Sequence, residues 1–337
     1  MIFFCLITIK FCLVDTTKPL QQPDLVALEE ALKGDLTDEQ KAELHFKLGS
    51  LLLQQRDATE ARDHLELALS LFPPSRIEAR TSAEITLSSC ELLLANGERA
   101  LALSRSAYDT RLKEFGDKHP LVARALIAWG KALAHEGDES ALEKFIAARE
   151  ILSDVTPIPR AELAQLYSVT AAYFMKIDQA ESAVQALQVG LDYADDSEPL
   201  AIQMKLQLSE AHMANSDTMY AEPILREVSQ APNATELQKA MAAFGLANIY
   251  KLWHNDEIAL SMFDTAFVAF SSMENRRFTI ACLIHQAQIL RANGRMQEAL
   301  LKEAKIMNVG GREDDVVTSR EAPIRLEDVR SADPINQ

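Results

Sequence analysis

Glycine, proline and aromatic residues are all scarce in this chain of 337 residues. It contains 11 glycines, 12 prolines and 6% aromatic residues, while 48% of its residues are hydrophobic. A chain of many strands and tight turns, or a disordered chain, uses more glycine and proline than this. The composition therefore excludes an all-β or a disordered protein and predicts a helical protein with a large aliphatic core.

Positive charge is also in short supply. The chain has 34 lysines and arginines against 50 aspartates and glutamates, which gives a formal net charge of -16 at pH 7. Proteins that bind nucleic-acid phosphates need clustered cations. Nucleic acid is therefore not an expected partner.

The sequence offers few residues for metal binding or covalent chemistry. It has four cysteines and no C-x-x-C pair, and its seven histidines occur singly. Cys90 and Cys282 lie too many repeats apart for a disulfide, so we expect them to be small buried residues. No phosphate-binding glycine loop, dinucleotide fingerprint, hydrolase G-x-S-x-G or zincin H-E-x-x-H occurs. We predict no catalytic residue, no metal, no cofactor and no enzymatic activity.

The N-terminal segment, residues 1–23, is an apolar head followed by a linker. Met1 to Val14 is almost wholly apolar and is interrupted by Lys10. This run is shorter than the roughly 20 residues of a membrane-spanning helix. It resembles part of a signal sequence, but no basic residue precedes it and no A-x-A site follows. Two locations stay open: periplasmic or otherwise extracytoplasmic if the segment is a signal, and cytoplasmic if it is not. Membrane contact is expected only if the segment is retained.

Small residues recur about every 40 positions along the rest of the chain. In most repeats a second small residue lies twelve positions earlier. The recurring residues are Ala61, Ala102, Ala141, Ala183, Ala221, Ala259 and Ala299, and their earlier partners are Gly49, Cys90, Gly130, Ala171, Ser209, Ala247 and Ala287. A period of 20 to 50 residues is typical of a solenoid, in which stacked units build the core together. The pattern predicts an all-α, right-handed α-solenoid of about seven antiparallel helix hairpins over residues 24–307.

The first repeat resembles a tetratricopeptide repeat (TPR). Leu48, Gly49, Ala61 and Pro73 follow the order that this family uses, although His45 stands where tryptophan is usual. The resemblance extends from about Ala42 to Met307.

The loop after the second hairpin is more specific. The run from Glu114 to Pro120 is similar to the inter-repeat loop of the 42-residue repeats found in kinesin light chain. We expect Gly116 to end one helix, Pro120 to begin the next and His119 to pack within the loop.

Past Met307 the composition changes to glycine and charged residues. Residues 308–337 are predicted to form a disordered charged tail. The alternative is a tether to a partner or to a further C-terminal domain.

The TPR resemblance implies a concave groove lined by the first helix of each hairpin, which suits an extended peptide or a partner helix. Lysine and arginine suit carboxylates there, and amides suit a peptide backbone. In the register of the family the groove residues are Arg124, Lys131, His135, Lys176, Gln203, Asn248, Lys251, Gln288 and Arg291, with Glu210 beside them. The alternative is that they are merely the polar sides of amphipathic helices.

Two functions are implied by the resemblance. The first is a non-catalytic TPR scaffold that binds a protein or peptide partner in its concave groove. The second is a sensory or regulatory TPR module of a larger envelope-transducing or transcription-regulating protein whose effector domain is absent from this chain. Repeat proteins share a frame and differ in their ligands, so the sequence leaves the choice open.

Overall fold

The computed structural model describes residues 22–55, 57–195 and 198–320, which contain 16 α-helices and no strand. This confirms the predicted all-α class. The apolar head, up to residue 21, and residues 321–337 of the predicted tail lie outside the described residues. The predictions made for them therefore stay predictions.

Fourteen of the described helices follow one another as seven consecutive pairs, in the order that the repeat pattern predicts, and within the two units the paired helices pack as hairpins. The pairs are α2 (Asp38–Gln54) with α3 (Ala58–Leu71), α4 (Ile77–Leu93) with α5 (Gly97–Phe115), α6 (Pro120–Glu136) with α7 (Ala141–Ser153), α8 (Arg160–Lys176) with α9 (Ala180–Tyr193), α10 (Pro199–Ala214) with α11 (Thr218–Gln230), α12 (Glu236–Leu252) with α13 (Asp256–Ser272), and α14 (Arg276–Ala292) with α15 (Met296–Asn308). Helix α1 (Gln22–Leu32) precedes them and α16 (Glu313–Thr318) follows them.

The chain divides into two compact units. The N-terminal unit contains α1 to α8 and residues 188–195, and the C-terminal unit contains residues 180–187 and α10 to α16. Within each unit a second helix packs on its own first helix and on the first helix of the next hairpin. First helices also contact one another, as α4 contacts α6 and α10 contacts α12. We call the first helices of each unit its first-helix layer.

The recurrent small residues of six second helices are fully buried. Ala61, Ala141 and Ala221 have no exposed surface, and Ala183, Ala259 and Ala299 are equally buried. The second hairpin corrects the predicted register, because Ala102 is exposed and Ala100 is the buried residue. Its partner twelve positions earlier is Ser88, whose hydroxyl donates to the Ala100 carbonyl oxygen at 2.9 Å.

The ends of several helices agree with the local sequence signals. Thr37 accepts from the backbone N–H of Gln40 in a capping box at the start of α2. Pro120 is the first residue of α6, and the imidazole of His119 accepts from the backbone N–H of Leu121 at 3.2 Å. The same imidazole stacks on Phe115 with ring centroids 4.8 Å apart. His119 thus has a packing role in the loop.

Gly130 allows the closest approach of α6 to α7, and its replacement by valine is expected to destabilise the N-terminal unit. A Cβ at Gly130 would lie 2.5 Å from the ring of Phe145, which is only 2% exposed and cannot move aside. Overpacking of this kind costs about 1–3 kcal/mol, more than the roughly 0.5 kcal/mol gained in helix propensity. Urea unfolding measures the loss. Ala102→Val, on an exposed face, is the control and should change stability by less than about 0.5 kcal/mol. Equal stability of the two variants would contradict the close contact.

Candidate functional site

The predicted groove residues of the N-terminal unit include a bridge between neighbouring first helices. A terminal guanidinium nitrogen of Arg124 on α6 lies 2.5 Å from a carboxylate oxygen of Glu162 on α8. Their side chains are 52% and 26% exposed, so the pair is open to water. Lys131, two turns further along α6, is half-buried. Arg124 and Lys131 therefore lie on the first-helix layer at the surface.

Lys176 and His135 meet at the C-terminal end of α6. The ammonium of Lys176 donates to the carbonyl oxygens of Ala134 and His135 at 2.5 and 2.6 Å. These are carbonyls of the last helical turn, where a cation complements the helix dipole. The Nδ1 atom of His135 lies 2.9 Å from the carboxylate of Glu136. Both predicted residues thus serve the end of a helix.

In the C-terminal unit the structure brings Lys251 of α12 together with Gln288 of α14. The Lys251 ammonium donates to Gln288 Oε1 at 2.8 Å and to His285 Nδ1 at 3.0 Å. Burial and the neighbouring ammonium lower the pKa of His285 to about 3, so its ring is neutral and accepts. The ring also stacks on Phe263 with centroids 5.2 Å apart. Sequence reasoning missed His285, although its place three residues before Gln288 puts both on one helix face.

The remaining predicted residues of α14 hold the segment that comes after α15. Gln288 Nε2 donates to the carbonyl oxygen of Thr318 at 3.0 Å. Arg291 donates to one carboxylate oxygen of Glu303 at 2.7 Å, and Arg320 donates to the other at 3.2 Å. Glu303 is 4% exposed and lies between the two guanidinium groups. We call these five residues the C-terminal clamp.

The C-terminal clamp lies at the start of the predicted tail. Residue 308 ends α15, residues 313–318 form α16, and Ser319 is fully buried. Helix α16 contacts α14 and α15, the positions that the first helix of a further repeat would contact. This part of the predicted tail is therefore helical in the structure, and α16 covers part of the last hairpin.

Helix α10 carries an unusual line of polar side chains. Gln203, Gln207 and Glu210 have the i, i+4, i+7 spacing of one helix face. Gln203 and Gln207 are only 6% and 7% exposed, and Glu210 is partly buried. We call these three residues the α10 polar row. Asn248 lies at the equivalent register of α12, 38 residues after Glu210, and its amide donates to the carbonyl oxygen of Phe244 at 2.9 Å.

The described residues also bear on metal binding, thiol chemistry and membrane insertion. Over residues 22–55, 57–195 and 198–320 no three histidine, cysteine, aspartate or glutamate side chains form a group that could hold a metal ion. Cys90 and Cys282 are buried, and burial raises the pKa of both thiols to about 12. None of the helices in the same residues is sufficiently long and apolar to span a bilayer.

The chain matches no protein-family model, and no curated protein matches it. Among solved structures it is similar to the apo form of the quorum sensor NprR from B. thuringiensis, with a TM-score of 0.62, 14% identity, and coverage of 85% of this chain and 81% of that chain. A Rap protein complexed with Competence and Sporulation Factor gives a TM-score of 0.61 at 14% identity, over 88% of this chain and 82% of that chain. The apo form of RapI gives a TM-score of 0.54 at 12% identity, over 82% of this chain and 98% of that chain.

At these identities the likeness concerns the fold alone. Each similarity spans most of both chains, and each matched protein is built from helical repeats. The predicted TPR resemblance is confirmed at this level. The chain therefore has the fold of TPR-like repeat proteins, an all-α solenoid of helix hairpins.

Proposed function

We propose that this chain is a non-catalytic TPR-like scaffold that binds a protein or peptide partner along its first-helix layer. The Rap protein that shares its fold was solved in complex with Competence and Sporulation Factor. A solenoid exposes one face of every repeat, so a partner can contact several hairpins at once. We propose that this chain, which has the same fold, also binds a protein or peptide.

The observation that carries the proposal is the polar chemistry of the first-helix layer. The α10 polar row and Asn248 place amide and carboxyl groups at positions where a helix usually packs with apolar side chains. Amide groups pair with both the N–H and the C=O of an extended backbone. The amide of Asn248 is half-buried on this layer, so the hydrogen-bonding capacity that it does not use within its own helix can pair with a bound chain.

The contacts also show which predicted residues are suitable for a test. Lys176 and Lys251 hold helices together, so changing either would disturb the fold as well as any binding. Asn248 is half-buried, and its amide hydrogen bond stays within its own helix. Lys131 is half-buried on the layer of the N-terminal unit and has interactions of its own within the protein, so urea unfolding of the variant is measured together with its binding. These two positions sample both units.

The test uses random peptides displayed on phage and selected on the full chain, with affinities of the enriched peptides measured by fluorescence polarisation. The double variant Lys131→Ala with Asn248→Ala should weaken binding at least about tenfold, which corresponds to roughly 1.4 kcal/mol. The control is Lys113→Ala with Gln230→Ala, on exposed positions of second helices. It should bind like the unchanged protein. Failure to enrich any peptide, or equal affinities for both variants, would count against the proposal.

The regulatory alternative is favoured by a separate observation, the likeness to a quorum sensor. The two functions differ in the consequence of binding. A scaffold binds its partner without a change in its own conformation, and the activity belongs to the partner. A sensor shifts between two conformations that have different affinities for its ligand. Helix α16 is short and packs on the last hairpin, so hydrogen exchange of its amides with and without a selected peptide tests for such a shift in the C-terminal unit.

A further inference from the structure

Gln288 is a predicted groove residue whose amide binds a main-chain carbonyl of the chain itself. It follows Asn248 by 40 residues, as the first residue of α14 follows that of α12, so the two amides share one register of the first-helix layer. The amide of Asn248 bonds within its own helix, whereas Gln288 Nε2 donates to the carbonyl oxygen of Thr318 at 3.0 Å. At α14 an internal segment therefore makes the amide–backbone contact that the proposed function assigns to a partner.

The segment that makes this contact is α16 with the two residues that follow it, Ser319 and Arg320. We call these residues the C-terminal lid. Helix α16 packs on α14 and α15, and Ser319 is fully buried. Gln288 is only 7% exposed, and its Oε1 accepts from Lys251 of α12. A partner chain can therefore take the place of the Thr318 carbonyl only after the C-terminal lid has moved away.

The contacts that hold the C-terminal lid are suited to reversible opening. Helix α16 has six residues, and helices of this length are not stable without tertiary contacts. Arg320 lies 3.2 Å from Glu303, but its side chain is 55% exposed, so water screens the pair. Val317 is 58% exposed, so one side of α16 faces solvent. A segment of this kind can detach while the hairpins of the unit stay folded.

We propose that the C-terminal lid autoinhibits the α14 end of the first-helix layer, and that a bound peptide displaces it and supplies a backbone carbonyl oxygen to Gln288 in place of Thr318. This inference rests on the proposed function and adds to that binding the conformational change of a regulatory module. Because the lid and the peptide compete, the measured affinity is the intrinsic affinity reduced by the fraction of open chains. By linkage, the peptide opens the lid.

A substitution on the exposed side of α16 opens the C-terminal lid without changing the first-helix layer. Val317→Pro removes a backbone N–H and places the proline ring against the carbonyl of the preceding turn, which breaks the helix. Val317→Ala keeps the helix and is the matched control. Peptides are selected by phage display on the full-length Val317→Pro chain, and fluorescence polarisation measures their affinities. They should bind Val317→Pro at least about fivefold more tightly than the unchanged protein, and Val317→Ala like the unchanged protein.

Hydrogen exchange of the unchanged full chain measures the same competition without any substitution. The amides of Ser319 and Arg320 donate to the carbonyl oxygens of Asp315 and Val317. At saturating peptide they should exchange at least about fivefold faster, because the peptide holds the lid open. The control is the Asp217 amide, which donates to the His212 carbonyl oxygen in the turn between α10 and α11 and should not exchange faster. If α16 only capped the last hairpin, peptide binding would leave its exchange unchanged or slow it.

The outcomes separate this inference from the proposed function. Peptides that bind all three proteins equally, or that do not accelerate exchange at Ser319 and Arg320, would overturn the lid and leave the proposed function standing. Weaker binding to Val317→Pro than to the unchanged protein would also overturn it, since α16 would then be part of the binding surface. If neither the unchanged protein nor Val317→Pro enriched any peptide, the proposed function would fail and the lid with it.

Discussion

Replacing Arg111 by alanine is expected to destabilise the N-terminal unit by about 3–5 kcal/mol, which is large for a single substitution. Arg111 lies on α5 and is 1% exposed. Its guanidinium donates to Thr81 Oγ1 at 2.8 Å, to Ser82 Oγ at 2.9 Å and to the Leu121 carbonyl oxygen at 2.8 Å. One side chain thus joins α4, α5 and α6.

The size of this effect reflects the groups that alanine would leave without partners. Truncation creates a cavity and removes three hydrogen bonds made by a charged donor, each worth about 1.5–3 kcal/mol. The charge itself is costly to bury, since burial lowers the pKa of Arg111 to about 10. Methionine fills the space without a charge, so Arg111→Met should lose less stability than Arg111→Ala.

Urea unfolding of the full chain, monitored by circular dichroism, measures these differences. Arg105→Ala is the matched control on the same helix, because its side chain is 69% exposed and only 4.0 Å from Asp109. It should change stability by less than about 0.5 kcal/mol. If Arg111→Ala were as mild as this control, the three hydrogen bonds would contribute little and the junction of α4, α5 and α6 would depend on apolar packing alone.

The hairpin architecture is predictable from sequence because its signals are local and repeated. Thr37 and Gln40 form a capping box within one turn of α2. Pro120 is the first residue of α6, a position that proline favours whatever the tertiary contacts of the helix are. In the second hairpin the local signals do not identify the buried small residue. Ala100 and Ala102 both fit a period near 40, and only packing against α4 selects Ala100.

The candidate site was less predictable, because its contacts join residues distant in sequence. Arg111 has no local sign of burial, and it is buried only once α4 and α6 supply acceptors on both sides. Lys251 and Gln288 were expected on one face, but their direct hydrogen bond depends on the crossing of α12 and α14. Whether these residues bind a partner remains a prediction.

Removing the carboxylate of Glu303 is the second change with a large expected effect. Glu303→Ala leaves two guanidinium groups, those of Arg291 and Arg320, facing each other without an acid between them. Breaking a buried ion pair by removing one partner costs about 3–5 kcal/mol. The side chain of Arg320 is 55% exposed, so its own pairing contributes little and Arg320→Ala should cost below about 1 kcal/mol.

The loss at Glu303 should appear first as local opening of the C-terminal clamp. Helix α16 is short and packs on α14 and α15 of the last hairpin, so it can detach before the rest of the unit unfolds. A cost of about 3 kcal/mol raises the open population roughly 150-fold. Hydrogen exchange of the Ser319 and Arg320 amides, which donate to Asp315 and Val317, measures this opening. Glu298→Ala, on the exposed side of α15, is the control. Equal exchange in both variants would mean that α16 is held by Gln288 and apolar contacts instead.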